Sequence, residues 1–202
     1  MLLSSNTAFF RSPLTGQTQI AVRGTGVWKF DVSGQILDAA RLGLWQAFLD
    51  QCKERGQTFY WNNYPKARPI LYPGGYAAGA AWGTPTVNGA NQTGTSLVTA
   101  NWLPGAVISA GDCIAFDNSV YREMHRVAAT VTADGGGAAT LSLMPAIRRS
   151  PANAALVYLD GHATDPTIRM ACEVILTDGQ QAAWAMSGFQ MRSSFKLVEM
   201  PR

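Results

Sequence analysis

Between Val27 and Ser33 the chain reads V-W-K-F-D-V-S, with Trp28, Phe30 and Val32 at alternate positions and Val27, Lys29, Asp31 and Ser33 between them. An apolar set repeating every second residue is the mark of a strand with one buried face, and it fixes the register of whatever pairs with it. Gln17–Arg23 (Q-T-Q-I-A-V-R) alternates in the same way, and Gly24-Thr25-Gly26 separates the two runs. Two alternating runs joined by a glycine turn predict a β-hairpin. The period then changes. Leu37, Ala40 or Arg41, Leu44, Trp45, Phe48, Leu49 and Cys52 recur at helical spacing, predicting a helix over about 37–55 with one broad apolar face. Ser33 or Asp38 suits its start, Lys53 and Arg55 suit the negative end of its dipole, and Gly56 suits the residue just past it.

After a short predicted strand at Gln57–Asn62, periodicity disappears. Tyr64–Trp82 contains Pro65, Pro69 and Pro73 among glycines and alanines, a texture that predicts a domain boundary. From Gly83 to about Pro151 short strand signals follow one another: Thr95–Thr99, Cys113–Phe116, Tyr121–Ala133 and Ala138–Leu143. Asp117-Asn118 and Asp134-Gly135-Gly136-Gly137 are the turns. Short strands with tight turns and no helical period predict a small barrel or sandwich. Longer strands return at Ala155–Asp160, Thr167–Thr177 and Phe189–Val198, the last placing Phe189, Met191, Ser193, Phe195 and Leu197 on one face. The expected organisation is a discontinuous domain, 1–81 with 152–202, carrying an inserted all-β domain at 82–151. The fold class is mainly β with one α-helix.

Charged residues make up only 14% of the 202-residue chain, against about 25% in an ordinary globular protein. Gly, Ala, Ser, Thr, Asn and Gln take their place, which suits a surface covered by neighbouring subunits. The net charge of +3 carries no basic run, since Arg148-Arg149 and the pair Lys66 and Arg68 are the densest positive points. Direct DNA recognition is therefore not expected. Met1-Leu2-Leu3-Ser4 lacks the basic region of a signal peptide, and no window reaches the ~18 apolar residues of a membrane span. Cys52, Cys113 and Cys172 are widely spaced, odd in number and set among apolar residues, so three reduced, buried thiols of a cytoplasmically folded protein are expected.

Candidate chemistry is sparse. His125 lies in Y-R-E-M-H-R, two residues from Glu123 and on the same face of a strand, and reads as a surface or interface histidine paired with a glutamate. His162 lies near Asp160 and Asp165 in a turn-rich stretch with residue types that suit a metal, although a lone histidine with two loop aspartates arises readily by chance. Neither Cys113 nor Cys172 has the setting of a nucleophile. No G-x-S-x-G, phosphate loop or H-E-x-x-H occurs. No catalytic residue, cofactor or metal site is assigned. Trp82, Trp102 and Tyr121 are the aromatic residues that would stack on sugar rings if the inserted domain bound glycans, with a core or interface role as the competing reading.

Several segments together resemble a known family. They are T-A-F-F-R-S-P-L-T-G-Q-T-Q near the start, the helix L-W-Q-A-F-L-D-Q-C-K-E-R-G-Q-T-F, the stretch G-T-P-T-V-N-G-A-N-Q-T-G-T-S-L-V-T-A-N-W-L-P, then A-G-D-C-I-A-F and V-T-A-D-G-G-G-A-A-T-L-S-L-M-P-A-I-R-R-S-P. In order and texture they resemble the distal tail proteins, minor tail proteins of long-tailed, siphovirus-type bacteriophages. The resemblance implies a tail-tube-like β-sandwich belt domain with an inserted β domain. It also implies a ring, usually of six copies, between the tail tube and the hub that carries the receptor-binding apparatus. DNA would pass through the lumen without being read, and the protein would reside in the virion tail tip after assembly in the host cytoplasm. Tyr64, Pro65, Tyr72, Tyr76 and Trp82, in the weakly charged connecting stretch, would form an arm lying on a neighbouring subunit. The alternatives are another tail-tube or tail-tip adaptor of the same virion, or a carbohydrate-binding module acting in host attachment.

Overall fold

The alternating runs become strands in a computed structural model that describes residues 1–4, 7–11, 13, 15–22, 24–36, 39–75, 82–118, 120–160, 170–177, 183–187 and 190–200. In chain order these give β1 (Leu2–Ser4), β2 (Thr7–Arg11), β3 (Thr18–Val22), β4 (Val27–Ile36), α1 (Ala39–Arg55), β5 (Phe59–Trp61) and a 3-10 turn at Tyr64–Lys66. There follow β6 (Gly83–Val87), β7 (Gly94–Trp102), β8 (Val107–Ile108), β9 (Cys113–Asp117), β10 (Arg122–Val127), β11 (Val131–Thr132), β12 (Ala139–Ile147) and β13 (Val157–Tyr158). The chain ends with β14 (Cys172–Leu176), β15 (Ala183–Ser187) and β16 (Gln190–Glu199). The protein is mainly β, with a single α-helix among the described residues, and that helix is too short and too polar to cross a membrane.

The elements gather into two units, one of Met1–Ser4, Val27–Tyr60 and Glu173–Pro201, the other of Ser5–Gly26 and Trp61–Cys172. These bounds differ from the expected 1–81, 82–151 and 152–202. Residues 61–75 belong with the barrel because their polar groups are bound there: Ile70 N donates to Asp112 Oδ1 at 2.8 Å, and Val107 N donates to the Tyr72 hydroxyl at 3.1 Å. Residues past 151 belong there too, since β13 pairs with β9.

In the first unit the strand order is β1-β4-β16-β14-β5, with β15 also on β16. Alternation decides the buried face. Phe195 lies opposite Val32 and Leu197 opposite Phe30, and Trp28, Phe30, Phe195 and Leu197 are all buried while Lys29, Asp31, Ser194 and Lys196 are exposed. Helix α1 adds Trp45, Phe48, Leu49 and Cys52. The Trp45 ring lies 5.3 Å from that of Phe195, and Phe48 meets Phe59 edge-on at 5.0 Å. Gly56, at φ +57°, takes the left-handed conformation just past the helix that glycine adopts without penalty. Leu44 departs from the expected stripe: it is 75% exposed, on the edge of the face that Trp45 and Phe48 bury.

The predicted hairpin between residues 17–23 and 27–33 is corrected. β3 pairs backward with β2, in register Phe9↔Ile20, and β4 pairs with β1 and with β16 from the far end of the chain. The Gly24-Thr25-Gly26 stretch is a crossing from one unit to the other.

In the second unit the order β13-β9-β10-β12-β7-β6 bends until its ends meet. Val87 N donates to Ala155 O at 2.8 Å and Ala154 N to Val87 O at 2.9 Å, closing a six-stranded, barrel-like sheet. Inward residues of each strand fill it, among them Leu97, Ile114, Phe116, Val127, Leu141 and Leu143. The expected strand at 121–133 is two strands, β10 and β11, because β11 leaves the barrel sheet to pair with β8.

Candidate functional site: a buried acid–histidine pair in the barrel

The aromatic residues considered for glycan stacking lie inside the protein. Trp82 is 2% exposed, Trp102 3% and Tyr121 4%. Trp102 Nε1 donates to Thr99 Oγ1 at 2.7 Å, Thr99 Oγ1 donates on to Ala139 O at 2.7 Å, and Trp82 meets Tyr72 edge-on at 5.4 Å. The stacking expectation is therefore corrected, because a ring that fills the core has no face left for a sugar. The expected arm is corrected for two of its members, since Tyr72 is half-buried against Trp82 and both are used within the unit. Pro65 is exposed, Tyr64 opens the 3-10 turn, and Tyr76 lies outside the described residues.

The polar residues that the fold brings together are elsewhere. On β10 the inward positions are Glu123, His125 and Val127, and the facing positions of β9 are Ile114 and Phe116. The barrel is apolar toward Val127 and polar toward Glu123. Both Glu123 and His125 are fully buried, which corrects the expectation of a surface or interface histidine, although the expected pairing with Glu123 is present. The imidazole lies flat against Phe116, 4.9 Å between ring centres and 9° from parallel. His125 Nδ1 is 2.8 Å from Pro145 O, and a carbonyl only accepts, so Nδ1 carries a proton. Nε2 faces Glu123 Oε2 at 3.2 Å.

Several donors converge on the same carboxylate. Asn118 Nδ2 donates to Glu123 Oε1 at 2.7 Å, and the backbone N–H groups of Arg148 and Arg149 approach Oε2 and Oε1, each at 3.3 Å. Asn118 is itself placed by the β9–β10 turn, where its Oδ1 accepts from Val120 N and Tyr121 N. Burial pushes the Glu123 carboxyl up, but His125, the Arg148 backbone and Asn118 together outweigh it and hold the group below its ordinary value. The Tyr121 phenol is pushed up, first by burial and then by the charge of Glu123. With both side chains enclosed, the Glu123 carboxylate and its donors tie β10 to the turn before it and to the chain after β12.

The remaining candidates are quickly placed. Cys52, Cys113 and Cys172 are buried thiols outside any disulfide, as expected. Burial raises the Cys113 thiol, partly offset by the hydrogen bond from Asn63 and by Arg126. Asp160 is buried and paired with Arg68 at 3.2 Å, while His162 and Asp165 lie outside the described residues. Among the described residues no cluster of three His, Cys, Asp or Glu has the geometry to hold a metal. Asn118 is expected from the sequence only as a turn residue, not as a partner of Glu123. Its signal was the turn dipeptide Asp117-Asn118, which places an amide at the mouth of the inward face that Glu123, His125 and Val127 share.

Apolar residues also remain outside. The β2–β3 hairpin is a two-stranded sheet of its own, in which Phe10 is 50% exposed and Ile20 63%. By register, Phe10 lies opposite Gln19 on one face and Ile20 opposite Phe9 on the other. No protein-family model matches the chain, and no curated protein matches it either.

Proposed function

We propose that this chain is a structural subunit of a siphovirus-type phage tail tip, one that closes into a ring, hexameric by the resemblance, between the tail tube and the hub carrying the receptor-binding apparatus. In this reading the unit built on β4, β16 and α1 is the tail-tube-like belt, and the barrel is the domain that docks other tip proteins. The ring passes DNA through its centre without reading its sequence. The protein acts in the virion after assembly in the host cytoplasm, a compartment that suits three buried thiols outside any disulfide.

The observation that carries the reading is the β2–β3 hairpin. A lone two-stranded hairpin is marginal in water, and this one shows an apolar residue on each face. Such an element gains its stability when a neighbour covers it. The low charge of the chain points the same way. The reading gives no role to glycan stacking, because the rings that would serve it are in the core. Native mass measurement of the full-length protein, followed by imaging of the assembled species, tests it. A ring of fixed stoichiometry is expected, and a monomer throughout the micromolar range overturns it.

A further inference from the structure

The loop between β6 and β7 contains the dipeptide Asn88-Gly89, with Asn88 exposed and Gly89 at φ +100°. Asparagine followed by glycine is the pair most prone to cyclise, because no side chain shields the glycine nitrogen. In this loop the nitrogen is occupied. Gly89 N donates to Asn153 Oδ1 at 2.8 Å. The Gln92 side chain holds the rest: its Nε2 is shared among Asn88 O, Gly89 O and Val98 O at 2.9, 3.1 and 3.1 Å, and its Oε1 accepts from Val98 N at 2.6 Å. Gln92 N is anchored in turn on Ser150 Oγ at 2.9 Å.

We propose that Asn88-Gly89 is a covalent modification site, a succinimide-forming pair held closed by Asn153 and Gln92. When the loop opens, Gly89 N gives up its proton and attacks Asn88 Cγ. A C–N bond forms, the Cγ–Nδ2 bond breaks, and the amide nitrogen leaves as ammonia. Water then opens the ring at either carbonyl, giving aspartate or isoaspartate, so each event consumes one water and releases one ammonia. The position matters because the barrel seam is one residue away, through Val87 with Ala155 and Ala154. Isoaspartate adds a methylene to the main chain beside that seam and shifts the register that closes the sheet.

The test uses full-length protein held at mildly alkaline pH with and without denaturant, with peptide mapping by mass spectrometry. The readouts are the gain of about one dalton at Asn88 and the isoaspartyl share of the product. Folded protein is expected to convert about tenfold more slowly than denatured protein, or slower still, since opening must precede attack. Asn153→Ala and Gln92→Ala, checked as folded by circular dichroism, are expected to convert severalfold faster than the parent. Asn153→Asp, which keeps an acceptor opposite Gly89 N, is expected to stay slow. Equal rates in folded and denatured protein overturn the proposal. So do folded Asn153→Ala and Gln92→Ala proteins that convert no faster than the parent.

Discussion

Glu123 and His125 stand two residues apart on β10 with side-chain atoms 3.2 Å apart, and neither is exposed to solvent. A buried ionisable pair contributes little net stability compared with apolar residues of the same shape, but breaking it leaves a polar group stranded. Glu123→Gln removes the charge that the donors from Asn118, Arg148 and His125 are arranged around. It is expected to cost about 3–5 kcal/mol, read as a lower urea midpoint with unchanged m-value.

The same carboxylate sets a pH dependence, and its sign follows from the direction of the shift. Glu123 titrates lower in the fold than its ordinary value of 4.5, so the unfolded chain takes up its proton first as pH falls. The contribution is complete above that ordinary value and is lost as pH drops through the folded one. Urea midpoints measured from about pH 7 down to about pH 3 are expected to hold level and then fall on the acid side, with a shallower acid fall in Glu123→Gln. An identical acid limb in both proteins counts against the assignment.

Gly137 occupies a place that no other residue fits. Its φ is +75°, its carbonyl accepts from Trp102 N at 3.0 Å, and a Cβ there collides with the Trp102 carbonyl oxygen. Gly135, two residues earlier in the same turn, has open space where a Cβ would be. Gly137→Ala is expected to destabilise the protein by about 1–3 kcal/mol, and Gly135→Ala by less than about 0.5 kcal/mol. Thermal melts of the two variants side by side check the contrast.

Trp102 was a candidate platform for sugars, and its position makes it a core residue with a polar tip. Trp102→Ala is expected to cost about 3–5 kcal/mol through the cavity it leaves. Trp102→Phe keeps most of the volume but loses the indole donor to Thr99, at a cost of about 1 kcal/mol. A glycan array probed with the parent and with Trp102→Phe is expected to show no difference. Loss of glycan binding in a folded Trp102→Phe protein would sink the core assignment.

The local pattern was legible wherever alternation or helical spacing ran for several residues. Trp28 and Phe30, Phe195 and Leu197, and Phe48, Leu49 and Cys52 were all recoverable from period alone. Pairing was not, because period says which face is buried and nothing about the partner. That is why β3 was matched to β4 although β4 joins β16 at the other end of the chain. β6 went unseen because G-T-P-T-V contains Pro85, which argues against a strand in a regular ladder. It is tolerated where the register shifts between Gly83 and Thr86. The burial of Glu123 and His125 was hidden for a related reason. A charged residue in a strand reads as outward, and only donors supplied from the neighbouring turn and from beyond β12 make the inward position affordable.

The hairpin supplies the sharpest separation between folding and assembly. Phe10 and Ile20 lie on opposite faces of β2–β3 and are 50% and 63% exposed within one chain, so replacing them removes less from the isolated fold than replacing a core residue does. Ile20→Ser is expected to leave stability within about 0.5 kcal/mol, as surface substitutions usually do, and Phe10→Ser, whose ring is half-covered, to cost about 1 kcal/mol. In the proposed ring the same side chains would be covered, and truncating a buried apolar contact of this size costs about 1.5–3 kcal/mol per interface. Closure of the proposed ring would repeat that loss at every subunit boundary, so the double variant is expected to remain a folded monomer at concentrations where the parent assembles. Native mass measurement and thermal melts on the same samples check both halves. A double variant that assembles like the parent removes the hairpin from the interface, and one that fails to fold shows that β2 and β3 serve the chain itself.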